Sequence, residues 1–195
     1  MDKPYISSSL AFYDNKIVVE DSGSNHDGVE VMMDWEHPIM SASAAYITEG
    51  GGDILEIGFG MGISAGYIQS HSISSHTIIE NHPQIIEKLK TWSSGKSNIT
   101  IVSQSWYDAL DSLGTYDGIF NDTFDDEDDA YFSASLSSLV KSGTKVTFFW
   151  ANDGDILNVV DTQIKINSFR EINIRQDDNS YFPSSSVYFM PEVEF

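Results

Sequence analysis

Residues 53–62 read "DILEIGFGMG". Five strand-forming residues, Asp53 to Ile57, run directly into three glycines spaced two apart: Gly58, Gly60 and Gly62. Glycine at a strand end permits backbone angles closed to other residues and lets a ligand lie against the main chain. In open α/β sheets ligands bind beyond the carboxyl ends of the strands, where the strand order reverses. The stretch therefore reads as the first strand of such a sheet, followed by its ligand loop.

The flanking sequence supports this. Upstream, "PIMSASAAYITEG" predicts a helix that Pro38 starts and Gly50 stops. Downstream come a short helix in "MGISAGYIQS", a strand in "HTIIE" and a helix in "HPQIIEKLKTW". In that helix Ile85, Ile86, Leu89 and Trp92 share one face. "NITIV" and "YDGIFND" are strands, "AYFSASLSSLV" is a helix, and "TKVTFFWA" after Gly143 is a fifth strand. "DILNVVDTQIKIN" predicts a further helix, and "FREINIR" and "SVYFMP" predict two closing strands. With no helix between them, these two form an antiparallel pair at one edge. Short apolar strands alternating with helices imply a mostly parallel sheet covered on both faces. The expected fold is Rossmann-like, with seven strands. Residues 1–30 read as a separate N-terminal extension or lid, with a possible hairpin from "NKIVVE" and "GVEVMM", ahead of a main domain at 31–195.

The chain has 195 residues, 41% of them hydrophobic, enough for one domain with a real core. It shows neither a long apolar run nor a basic-then-apolar leader, so a cytoplasmic protein without a membrane span is expected. Thirty acids against ten bases give a formal charge of −20, which repels phosphate backbones and argues against nucleic-acid binding. There is no cysteine, and His26, His37, His71, His76 and His82 lack metal-ligand spacing, so no metal is expected.

Glu80, at the end of the second strand, falls 22 residues after Gly58. At this distance an acid reaches the ribose hydroxyls of an adenosine ligand. Two ligands compete. A nicotinamide dinucleotide asks for G-x-G-x-x-G/A directly after the strand, but the series from Gly58 reaches Ile63, and the match beginning at Gly60 starts two residues late. S-adenosylmethionine asks for an acid in the strand and then G-x-G-x-G, which Glu56 and the three glycines supply. A tight turn that holds no ligand is the plain rival to both.

"WEHPIM" at 35–40, "LEIGFGMG", "TIIENH", "SQSWYDAL" and "YDGIFNDTF" together resemble the guanidinoacetate N-methyltransferases and their arginine-methylating relatives. The resemblance covers residues 31–157, agrees loosely at "VYFMP" and leaves out residues 1–28. It implies the class I methyltransferase fold and methyl transfer from S-adenosylmethionine, which leaves as S-adenosylhomocysteine. The acceptor would be a guanidino nitrogen of a small cationic molecule. It further implies that Glu36 and Asp122 hold the guanidinium as the catalytic pair. Met40, Phe59, Gly60, Met61, Gly62, Ile63, Ser64, Glu80, Asn81 and His82 would contact the donor. Ser105 and Trp106 would lie near its adenine, and Ala151 and Asn152 fall where the family receives the acceptor's carboxylate.

Chemistry makes sense of two acids. A guanidinium is a planar fork of donors that carboxylates match bidentately. Its high pKa leaves almost no free lone pair at neutral pH, so a base must take a proton as the new bond forms. Asp122 is the candidate base and Glu36 the clamp. Taken alone, each residue has a simpler reading: Glu36 as a surface acid at a helix entry, Asp122 as a turn residue, Trp106 as core, and the acidic run 125–129 as solvated. The sequence departs from the family at Phe124, where tyrosine is usual, and at Ala151-Asn152, which stand beside Asp153 and Asp155. These departures leave open guanidinoacetate, arginine, another guanidine or an amine as acceptor. A donor-binding protein without catalysis and a nicotinamide-dependent oxidoreductase are the alternatives from other classes.

Overall fold

The computed structural model describes residues 4–21, 26–124, 129–150, 164–175, 182 and 185–195. Seven strands form one sheet: β4 (Asp53–Ile57), β5 (Ser75–Ile79), β6 (Ile99–Val102), β7 (Tyr116–Asn121), β8 (Val140–Phe148), β9 (Ser168–Asn173) and β10 (Val187–Glu194). Their order is β6-β5-β4-β7-β8-β10-β9. The pairs from β6 through β8 are parallel, and β10 runs antiparallel to both β8 and β9. The order reverses between β4 and β7, so the switch point lies where the glycine loop was expected.

The predicted closing pair is present, with β10 slotted inside β9. Three N-terminal strands, β1 (Leu10–Phe12), β2 (Lys16–Val19) and β3 (Glu30–Met33), make a second, antiparallel sheet. The sequence showed β2 and β3 but not the three-residue β1, which is too short to carry an alternation.

The helices are α1 (His37–Ile47), α2 (Ile63–Ser70), α3 (Pro83–Ser93), α4 (Trp106–Ala109) and α5 (Asp129–Leu139). Strand side chains alternate between faces. Ile54 and Phe120 point to a core shared with Met40, Ala44 and Ile47 of α1 and Ile68 of α2. Leu55, Ile57 and Ile119 point to the opposite core with Trp106 of α4 and Phe132 and Leu136 of α5. Ile78 joins Ile85 and Leu89 of α3 and Ile17 and Val19 of β2 in a third cluster. Fully burying each such side chain contributes about 1.5–3 kcal/mol, so the apolar stripes fix which helix covers which strand.

Pro38 and Pro83 sit in the first turns of α1 and α3, as expected. Two boundaries differ. α1 ends at Ile47, ahead of Gly50, and at its end the Thr48 hydroxyl bonds to the Ala44 carbonyl at 2.7 Å. β8 begins at Val140 rather than after Gly143, directly from α5. Within the predicted "DILNVVDTQIKIN" helix, residues 155–163 lie outside the described residues, and 164–167 are not helical.

Candidate active site

The carboxyl ends of β4, β5 and β7 are stitched together by backbone bonds past the ladder. Gly58 N–H donates to Ile79, Asp122 N–H to Ile57 and Phe149 N–H to Asn121, at 2.8–2.9 Å. Gly58 has φ +91°, and a methyl there would overlap the Asp122 carbonyl. At Gly60 (φ +52°) a methyl would run into the Met32 sulfur, which also takes the Met61 N–H at 3.1 Å. The protein's own close packing thus demands these glycines. The approach that seemed to call for a ligand is made first by β7 and by the N-terminal sheet.

Glu80 is buried, and its carboxylate accepts N–H groups from Phe59 (3.1 Å), Asn81 (2.9 Å) and His82 (2.8 Å). Burial pushes the carboxyl up, and these backbone donors offset part of the rise. Glu80 therefore ties the glycine loop to the end of β5. His82 is spent structurally. Its Nδ1 accepts from Gln84 N–H at 3.3 Å to cap α3, its Nε2 lies 3.2 Å from the Ser8 carbonyl, and its ring packs on Tyr5. Burial holds this imidazole below its ordinary value. Asn81 and Ser64 lie at the same edge, one beside Glu80 and the other in the first turn of α2.

Glu36 is only 3% exposed, so it is not a surface acid. Its Oε1 reaches back to the Met33 N–H at 2.8 Å, and Met40 lies fully buried one turn along α1. Burial pushes the Glu36 carboxyl well up, and the Asp122 charge adds to it. Asp122 keeps partial exposure, yet desolvation of its carboxylate, reinforced by Glu56 and Glu80, pushes it up to about 7. Asp122, from a distant part of the chain, thus acts on Glu36 at the switch point.

Beneath them Glu56 and His76 are fully buried with 2.9 Å between Oε2 and Nε2. Glu56 Oε1 and Asn121 Oδ1, both buried, have no hydrogen-bond partner among the described residues. Ser105 caps α4, accepting the Asp108 N–H at 3.3 Å, while the Trp106 ring is core, stacked on Tyr107 and edge-on to Phe132. Phe124 turns towards Tyr5 and His26. Ala151, Asn152, Asp153 and Asp155 lie outside the described residues. So does the acidic run 125–129, apart from Asp129, which opens α5.

Sequence reasoning missed Tyr188. It is buried at the start of β10, and its phenol is pushed up by burial and by the charges of Asp122 and Glu36. "SVYFMP" was legible as a strand, but nothing local to it marks a neighbour 66 residues upstream.

Among the described residues no cluster of three metal-ligating side chains occurs, and no helix is long and apolar enough to cross a membrane. The groups present fit S-adenosylmethionine. Glu80 at the end of β5 and Asp122 beyond β7 flank the glycine loop, and their negative charge suits a cationic sulfonium.

This is the Rossmann-like fold of the class I methyltransferases. The chain superposes on spermidine synthase from Thermotoga maritima with TM-score 0.65 at 13% identity, covering 95% of this chain and 72% of that one. It also superposes on the N-methyltransferase NodS of Bradyrhizobium japonicum with TM-score 0.60 at 13% identity, covering 82% and 96%.

A family model described as guanidinoacetate N-methyltransferase matches residues 10–174, and the chain belongs to that family. The match takes in β1 and β2, which the resemblance read from sequence had left out. Curated relatives are named protein arginine N-methyltransferase 2. That of Kluyveromyces lactis is 31% identical over 98% of this chain and 53% of its own length. That of Saccharomyces cerevisiae is 35% identical over 62% of this chain and 31% of its own. The chain thus spans about half or less of these relatives.

Proposed function

We propose that the protein transfers the methyl group of S-adenosylmethionine to a guanidino nitrogen, with Asp122 as base and Glu36 as clamp. One observation carries this reading: Glu36, buried and fixed by the Met33 N–H, feels the charge of Asp122, which stands against Gly58 of the glycine loop with its carboxyl pushed up to about 7. When bound, the donor supplies a methyl carbon already activated by its sulfonium. The residues do the rest. Glu36, fixed by the Met33 N–H, balances the guanidinium charge and sets its plane. Asp122 takes the proton that the nitrogen must lose, and a base near neutrality suits that task. Glu80 and the loop from Phe59 to Ser64 hold the donor, so that nitrogen, carbon and sulfur lie in line.

The N-terminal residues act as a lid over this edge. Their supports are the Tyr5 and Ser8 contacts with His82 and the Met32 contact with Met61. The acceptor is a guanidino compound, either a small molecule or, as the relatives' name indicates for them, an arginine of a protein.

The test is a screen with tritiated donor across guanidinoacetate, free arginine, agmatine, an arginine-containing peptide, amines and catechols. Labelling confined to guanidines supports the reading. Labelling of catechols or carboxylates with every guanidine blank overturns it. Signal on the peptide alone makes the acceptor a protein arginine rather than a small molecule.

A further inference from the structure

An aromatic bridge joins the two acids. Trp35, next to Glu36, meets the Phe182 ring edge-on at 6.0 Å between centroids. Phe182 meets Tyr188 at 5.7 Å, and Tyr188 stacks on Phe149 at 5.6 Å with 13° between planes. Phe149 N–H is bonded to the Asn121 carbonyl, one residue before Asp122. Because β10 runs antiparallel to β8, Tyr188 stands at the ligand edge of the sheet although it lies near the chain's end.

The Tyr188 hydroxyl is poorly satisfied. It donates to the Phe148 carbonyl at 3.4 Å and accepts the Trp150 N–H at 3.3 Å. Both distances lie at the weak limit of the hydrogen-bond range, whereas a buried phenol normally finds a good partner. The same hydroxyl lies within the fields of Asp122 and Glu36.

We propose that Tyr188 is a third acceptor-binding group, its hydroxyl oxygen taking a guanidino N–H that the two carboxylates leave over. This rests on the guanidino reading above. A monosubstituted guanidinium presents five N–H donors in one plane. Two carboxylates facing it bidentately satisfy four. A third carboxylate would oppose loss of the proton by holding the charge too firmly, whereas a neutral oxygen satisfies the fifth donor without that cost. A phenol anchored to the end of β8 holds its place as the acceptor enters.

Tyr188→Phe keeps the ring stack and removes only the oxygen. Three quantities are measured on wild type and variant: kcat and KM for the best guanidine of the screen, S-adenosylhomocysteine affinity by calorimetry, and Tm. The expected result is a fall of at least about tenfold in kcat/KM for the guanidine, the size of one lost hydrogen bond to a charged group. Donor-product affinity should stay within about twofold, and Tm should be nearly unchanged. Wild-type kcat/KM in the variant overturns this role and leaves methyl transfer to guanidines standing. A matching loss of S-adenosylhomocysteine affinity overturns it too, because the residue would then serve the donor side. A wild type that labels no guanidine overturns both readings together.

Discussion

At the scale of single residues, Asp122 carries the sharpest expectation. Only its ionised form accepts a proton. Burial, then the charges of Glu56 and Glu80, hold its carboxyl near 7 before substrates bind. The kcat/KM profile should therefore fall about tenfold per pH unit on the acid side of roughly 7. In the proposed reaction both substrates are cations, so their binding favours the carboxylate, and the limb in kcat should lie at lower pH than the limb in kcat/KM. Asp122→Asn should cut kcat by about 10²–10⁴. A wild-type single-turnover rate in that variant removes Asp122 from the role of base.

Glu80 was legible from its distance to Gly58, but only as a ribose contact. The structure adds that its carboxylate holds three loop N–H groups. Glu80→Ala should therefore weaken S-adenosylhomocysteine binding at least about tenfold. It should also lower Tm, because buried donors left unsatisfied cost about 1–3 kcal/mol each. Affinity that falls while Tm stays at the wild-type value would reduce Glu80 to a ligand contact. Glu36 and Asp122 were legible through the resemblance alone. The pairing of Glu56 with His76 and the approach of Tyr188 were not, since both depend on which strands lie side by side.

At the scale of elements, the period of the apolar residues was enough to find β4 to β10 and α1, α2, α3 and α5. Strands buried on both faces read as apolar runs, and α3 has one clean stripe. What stayed hidden was short or conditional. α4 is a single turn held by Ser105, and β1 is three residues held by β2. The segment that leads into the N-terminal sheet is the one with a function to test. Tyr5 packs on His82 and Phe124, and the Leu10 backbone exchanges hydrogen bonds with the Gln84 side chain at 2.8 and 3.5 Å. These contacts span the donor edge without entering the main sheet. Deleting residues 1–9 should leave the seven-stranded sheet folded, judged by far-ultraviolet circular dichroism, and should raise the dissociation rate of S-adenosylhomocysteine several-fold. An unchanged dissociation rate would make the segment a covering without a gating role.

At the scale of the whole molecule two sources of negative charge act, and they separate by experiment. One is the surface share of thirty acids against ten bases. The other is the set at the site, buried Glu36 and Glu80 and half-buried Asp122, all with carboxyls raised in the fold. For a raised carboxyl the folded state prefers the protonated form. Its favourable contribution is complete below the unfolded value near 4 and is lost as pH rises, for Asp122 through about 7. The ligand-free protein should therefore melt higher at pH 6 than at pH 8. Surface repulsion weakens with salt, because the screening length falls from about 10 Å at 0.1 M to about 3 Å at 1 M. Buried pairs are screened far less. Adding 1 M sodium chloride should raise Tm at both pH values and leave the gap between them open. Asp122→Asn should narrow that gap by removing one titrating group, at a gain of about 1–2 kcal/mol at pH 8 once its partial exposure is discounted, roughly 2–8 °C in Tm. Bound S-adenosylmethionine should narrow the wild-type gap in the same sense, since its sulfonium favours the ionised acids. A gap that closes in salt alone, and is as wide in Asp122→Asn as in wild type, would place the pH sensitivity on the acidic surface and not in the site.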